Sequence, residues 1–305
     1  MCQHSVMRIG SFQIPEPVPE LRNPHVIASL RPWIDAGSVG SLTLSRLEKS
    51  LESRELGSLA TPGNYFDFTR YRPQSYVVEG QRRLTVPNTQ LRYGRGKGDN
   101  DFITLHILEP HSFAEEYIDS IVQIMKHFNV QRYCRVGAMY DAVPHTRPLL
   151  VMGSLRGEPL TDVPGVTASR RGPYQGPTSI MNLVTEKLTA LGVEDATLMV
   201  RLPHYIELEE DYTGADRLLS VLCSLYDLPP ELAVSRRGAR QYERISAEIE
   251  RNPGVKALLE RLEADYDANL EGRSVDASNP SEEPSPLSPT VEEFLGGLGD
   301  QIEDS

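Results

Sequence analysis

Six side chains able to hold an anion or move a proton fall just after apolar runs in this sequence: Asp35, Glu109, Asp141, His145, Arg147 and His204. If the strands expected to end at Leu30, Leu108, Gly137 and Leu202 run parallel, their following loops share one edge of a sheet. Open α/β proteins place ligand sites at that edge. A carboxylate, an imidazole and a guanidinium gathered there could bind an anion or relay a proton. The densest stretch packs Asp141, Pro144, His145, Thr146 and Arg147 into seven positions between two apolar runs, and a second Pro-His pair stands at Pro203-His204. The structural alternative is that Arg147 pairs with Asp141 or Glu109 while the histidines hold loops by hydrogen bonds.

Other motifs carry less chemistry. Gly37-Ser38-Val39-Gly40 precedes a helix, and free N–H groups at a helix start attract phosphate. The stretch has neither a full dinucleotide fingerprint nor the Lys-Ser/Thr of a phosphate loop. Close strand–helix packing accounts for Gly37 and Gly40 equally well. Ser154 follows Gly153 without the flanking pattern of a nucleophile elbow. Arg95 and Lys97 read as a solvated turn, and residues 207–211 as a solvated acidic loop ahead of a helix N-terminus. Cys134 and Cys223 read as small buried hydrophobes. Cys2 and His4 would offer only two ligands on a chain terminus, so neither metal nor cofactor is expected.

The elements that must position these groups follow from periodicity. Strands are expected over 25–30, 102–108, 132–137, 147–153 and 196–202, with a meander over 64–98. Helices are expected over 41–51, after the capping-box spacing Ser112-x-x-Glu115, from Pro177 to a stop at Gly192, and from Thr213 to Pro229-Pro230. Residues 154–177 form the longest irregular segment. The alternation implies a three-layer α/β/α sandwich around a mixed, mostly parallel sheet. The short connection from 137 to 147 permits an antiparallel pair there. Residues 1–230 form the expected core domain, and 231–270 a helical hairpin broken at Asn252-Pro253. Residues 271–305 form an expected disordered acidic tail. Within it, residues 291–298 are amphipathic, making Phe294 and Leu295 candidate partner-binding residues.

Charge supports that division. The chain of 305 residues carries a formal net charge of −12, but residues 271–305 alone hold nine acids against one base. That net charge argues against a nucleic-acid surface, although the remainder is only mildly acidic. Neither a secretory leader pattern nor a run of about 18 apolar residues is legible, so a cytoplasmic protein without membrane contact is expected.

Taken in order, Trp33-x-Asp35-Ala36-Gly37-Ser38-Val39-Gly40, Tyr71-Arg72-Pro73, Glu109-Pro110, Val136-Gly137-Ala138, Pro144-His145-Thr146-Arg147-Pro148, Gly176-Pro177 and Leu202-Pro203-His204-Tyr205-Ile206 resemble the proteasome assembly chaperone 2 family. The form resembled is the bacterial stand-alone type with a helical C-terminal extension, and the likeness spans about residues 25–230. It implies a phosphorylase/hydrolase-like sandwich, a homo-oligomer, and a non-catalytic, assembly-chaperone-like role with a protein partner related to the proteasome. The final Ile302-Glu303-Asp304-Ser305 departs from the hydrophobic-Tyr ending of proteasome-docking tails, so docking of that kind is not expected. The alternative is a small-molecule or anion-binding protein, or a hydrolase/phosphorylase-like enzyme, using the cleft around His145, Arg147 and His204.

Overall fold

A computed structural model describes residues 5–160, 162–167 and 176–270. The strands are β1 (Val6–Ile9), β2 (Phe12–Pro15), β3 (His25–Arg31), β4 (Arg54–Leu59), β5 (Gln74–Val78), β6 (Gln81–Thr85), β7 (Gln90–Gly94), β8 (Phe102–Leu108), β9 (Arg132–Asp141), β10 (Val151–Leu155), β11 (Glu158–Pro159), β12 (Val166–Thr167) and β13 (Glu194–Pro203). The helices are α1 (Val39–Ser50), α2 (Ala114–His127), α3 (Ile180–Ala190), α4 (Tyr212–Tyr226), α5 (Arg236–Ile249) and α6 (Pro253–Leu270).

One sheet runs β1-β2-β4-β7-β8-β3-β9-β13-β10-β11, with β12 beside β10. Its centre, β8-β3-β9-β13, is parallel, and the flanking strands β7 and β10 are antiparallel. The sheet is mixed as expected. The expected neighbour of β9 is displaced, however, because β13 lies between β9 and β10. A ten-residue β13 pairs along its whole length with β9, leaving β10 to take the outer edge.

Central strands need cover on both faces, so they read as continuous apolar runs. In β3, Val26, Ala28 and Leu30 pack with α2 and α3 through Ile118, Ile121, Met125, Val184 and Leu188. Ile27 turns to the other face, where α1 and α4 contribute Leu44, Leu47, Leu218 and Leu222. These two apolar layers make the α/β/α sandwich. Helices α5 and α6 join the second layer through Tyr242, Ile245, Ile249, Val255 and Leu262, with the break at Asn252-Pro253 as expected.

The capping box at Ser112 is not formed. Phe113 is the N-cap of α2 and no side chain caps that end. The hairpin β1–β2, unforeseen in the sequence, brings Ser11 alongside. Glu116 is drawn outward, accepting from Tyr65 Oη at 2.5 Å and Ser11 Oγ at 3.0 Å. Helix α3 starts at Ile180 rather than Pro177, and Gly192 follows it with φ 83°, the left-handed turn expected of a helix stop.

Candidate functional site

The parallel strands end at Arg31, Leu108, Asp141 and Pro203 on one edge of the sheet. The strand ends, the loops that follow and the start of α1 carry all six candidate side chains and both candidate glycines. Each side chain has partners within the fold.

Asp35 bridges to Ala138 of β9 and is buried. Its Oδ1 accepts from the N–H of Gly40 at 2.6 Å and of Ser41 at 3.1 Å, and its Oδ2 from Ser41 Oγ at 2.5 Å. The carboxylate thus occupies the anion position that the start of α1 would offer a phosphate. Gly37 has φ 55°, and a Cβ there would stand 2.7 Å from Asp211 Cβ. Close approach of the chain therefore explains this glycine. At Gly40 a Cβ would stand 3.0 Å from Asp35 Oδ1.

Glu109 turns to α3, where its Oε1 accepts from Ile180 N–H at 3.2 Å. Burial holds its carboxyl above the usual carboxylate range. Asp141 accepts from Arg201 Nε at 2.6 Å and from its neighbour Ala142 N–H at 2.7 Å. His204 donates its backbone N–H to the Asp141 carbonyl at 3.0 Å, with Nδ1 at 3.1 Å from the same oxygen.

Arg147 pairs with neither Asp141 nor Glu109, correcting the partners expected from sequence. Its Nε and one terminal nitrogen clasp the Asp267 carboxylate at 3.0 and 2.8 Å, and its other nitrogen reaches Glu263 at 3.2 Å. Both acids sit on α6. Tyr266 between them donates to the Pro148 carbonyl at 2.7 Å, so one face of α6 grips the loop before β10.

His145 is the hub of a buried polar chain. Tyr205 Oη accepts from the His145 backbone N–H at 2.9 Å and lies 2.7 Å from Nδ1. Nε2 lies 3.0 Å from Ser246 Oγ, which itself donates to the Tyr242 carbonyl at 3.0 Å. The pattern suits a neutral imidazole with its proton on Nε2. Burial lowers the His145 pKa to about 4, against an opposing pull from Glu263. Next to it, Tyr242 donates to Asp211 Oδ2 at 2.9 Å, and Asp211 Oδ1 caps α4 by accepting from Gly214 N–H at 2.7 Å. Asp211 is therefore buried, a correction to the solvated loop expected over 207–211. Tyr205, Asp211, Tyr242, Ser246, Glu263 and Asp267 also belong to these contacts, though the sequence does not mark them as site residues. The Glu263/Tyr266/Asp267 spacing on one helical face was the available signal.

The same edge exposes apolar groups. Trp33, the chain's single tryptophan, is 63% exposed on the loop after β3. Phe113, after β8, is 63% exposed, and Met139 and Tyr140, at the end of β9, are each 39% exposed. All four belong to the ends of, or the loops after, three neighbouring strands, β8, β3 and β9.

At the opposite edge lies a groove of about 560 Å³ lined by His25, Asn100, Arg132 and Tyr226 among others. His25 Nε2 is 2.6 Å from Asn100 Nδ2, and burial with nearby Arg132 lowers its pKa to about 4. Arg95, read as a solvated turn, instead joins Arg22 on the fully buried carboxylate of Asp101. Cys134 and Cys223 are buried thiols. Among the described residues no group of three or more His, Cys, Asp or Glu is placed to hold a metal, and no helix is long and apolar enough to cross a membrane. Phe294 and Leu295, like Cys2 and His4, lie outside the described residues.

The fold recurs in solved structures. A protein of unknown function from Corynebacterium glutamicum is similar at TM-score 0.76 and 22% identity, over 87% of this chain and 99% of that one. A proteasome-assembly chaperone homologue from Mycobacterium tuberculosis is similar at TM-score 0.64 and 23% identity, over 78% of this chain and 98% of that one. An archaeal proteasome activator from Pyrococcus furiosus follows at TM-score 0.55 and 14% identity, over 88% and 100%. No curated protein sequence matches the chain. The model of the PAC2 family matches residues 29–250, running from within β3 through α5. With most of its length matched, and with the family's sandwich, the chain belongs to the PAC2 family.

Proposed function

We propose that this protein is a non-catalytic, assembly-chaperone-like interaction protein that docks a polypeptide partner at the carboxyl edge of its parallel strands. The observation that carries the reading is the division of labour at that edge. The groups suited to chemistry are committed to capping helices and clasping α5 and α6, while Trp33 and Phe113 face solvent and Met139 and Tyr140 stay partly exposed. Exposed aromatic groups beside a rigid frame suit burial against another protein. Two neighbours in fold are a proteasome-assembly chaperone homologue and a proteasome activator, so proteasome α-subunits are the partner class we propose, with action in the cytoplasm as a homo-oligomer. Use of the same edge by a small molecule would require His145 and Arg147 to leave the contacts that hold α5 and α6.

Trp33 makes the test direct, because it is the only indole in the chain. Its emission should be red-shifted and open to acrylamide in the free protein. On addition of purified, tryptophan-free proteasome α-subunits the emission should move to the blue and quenching should fall. A Trp33→Ala variant, folded by circular dichroism, should lose co-elution with the subunits. Unchanged emission and unchanged co-elution would refute the docking edge.

A further inference from the structure

The pair β5–β6 stands apart from the main sheet as a two-stranded sheet of its own. Its strands are joined at Glu79-Gly80, both with positive φ, which is the backbone a tight hairpin turn requires. Every residue of both strands is exposed. Cross-strand bonds fix its register, with Arg82 Nε donating to Ser75 Oγ at 2.8 Å and Thr85 Oγ1 to Tyr76 Oη at 3.1 Å. One face presents Val77 and Leu84, each 70% exposed, and the other Tyr76 and Val78 at 47% and 42%. An isolated hairpin is marginal in water, and open edges with apolar faces invite a further chain.

Charge says what kind. The stretch 70–85 holds four arginines and one glutamate in a protein of net charge −12. Arg72, Arg82 and Arg83 are exposed and form no ion pair with a described residue. Two copies of this hairpin would repel one another. An acidic segment with apolar side chains would be attracted, and the chain carries one at 291–298, where Val291, Phe294, Leu295 and Leu298 accompany Glu292 and Glu293. The 20 residues between 270 and 291 can span up to about 70 Å, comparable with the path around a body roughly 50 Å across. Reach therefore does not exclude the contact.

We infer that the β5–β6 hairpin is the docking site of the chain's own acidic segment 291–298, with Phe294 and Leu295 covering the apolar hairpin and Glu292 and Glu293 meeting Arg82 and Arg83. This surface is separate from the Trp33 edge, so the failure of either leaves the other standing.

The test is amide hydrogen exchange on the full chain, followed by mass spectrometry over 74–85 and 291–298. In the unaltered protein both stretches should be protected. Phe294→Ala with Leu295→Ala should speed exchange at 74–85 by about tenfold or more. Arg82→Glu with Arg83→Glu should release 291–298, and adding Glu292→Arg with Glu293→Arg should restore its protection. Raising salt from about 50 mM to about 0.5 M should weaken protection at both stretches by screening. Equal exchange in all variants would overturn the inference. So would protection at 74–85 that rises with protein concentration and ignores the tail substitutions, since that marks contact between copies.

Discussion

His145 should make the fold acid-sensitive in a way one substitution removes. Its imidazole is buried against Tyr205 after β13, Ser246 and the Tyr242 ring on α5, with Glu263 of α6 nearby. In the folded protein its pKa is lowered to about 4, whereas an unfolded chain has a histidine pKa of about 6.5. The unfolded state therefore takes the proton first. Stability from this group is complete above about pH 6.5 and is lost as pH falls toward about 4. Between about pH 7 and about pH 4.5 the two values imply a loss of about 2 kcal/mol from His145. Urea unfolding at several pH values, on dilute protein, measures it. His145→Gln should lower stability at neutral pH through lost packing, yet its stability should fall less on acidification, by that same amount. His25, also lowered to about 4, is present in both proteins and cancels in the comparison. Parallel pH curves for the two proteins would refute the neutral buried hub.

Three further outcomes follow from the same contacts. Asp35→Ala should cost about 1–2 kcal/mol by uncapping α1, and inorganic phosphate should bind the unaltered protein no better than chloride does, measured by thermal shift. Arg147→Ala should loosen α6, raising hydrogen exchange over 253–270 while the exchange of β3 and β9 stays slow; uniform loss across the protein would contradict a role confined to the clasp. The Cys134 thiol, pushed up to about 12 by burial, should resist iodoacetamide at about pH 8 in the native protein and react once unfolded in urea.

The central frame was legible because parallel strands buried on both faces leave mostly apolar runs, as in Phe102–Leu108, interrupted only by Thr104 and His106. The short peripheral strands were not. In β4 the register shifts between Glu55 and Gly57, which breaks the alternation that would reveal a half-buried strand. The candidate edge was legible from strand order, since loops after parallel strands must share it. The partners were not. Arg147 reaches Asp267 across 120 positions, and no local pattern states which helix will return to a loop. Nor does a polar residue's type reveal burial, as Asp211 shows by sitting beneath Tyr242 inside a run of acids.

The order of the strands also bears on how the chain is made. The innermost strand is among the first synthesised, yet both its neighbours, β8 and β9, come much later, and β13 must arrive before β9 is enclosed. At ribosomal rates of about 5–20 residues per second, Val26, Ile27 and Leu30 wait on the order of ten to thirty seconds for a complete sheet. Until β8 emerges, the nascent chain offers an apolar β-segment with two open sides. Pausing between the codons for β3 and β8 would lengthen that exposure.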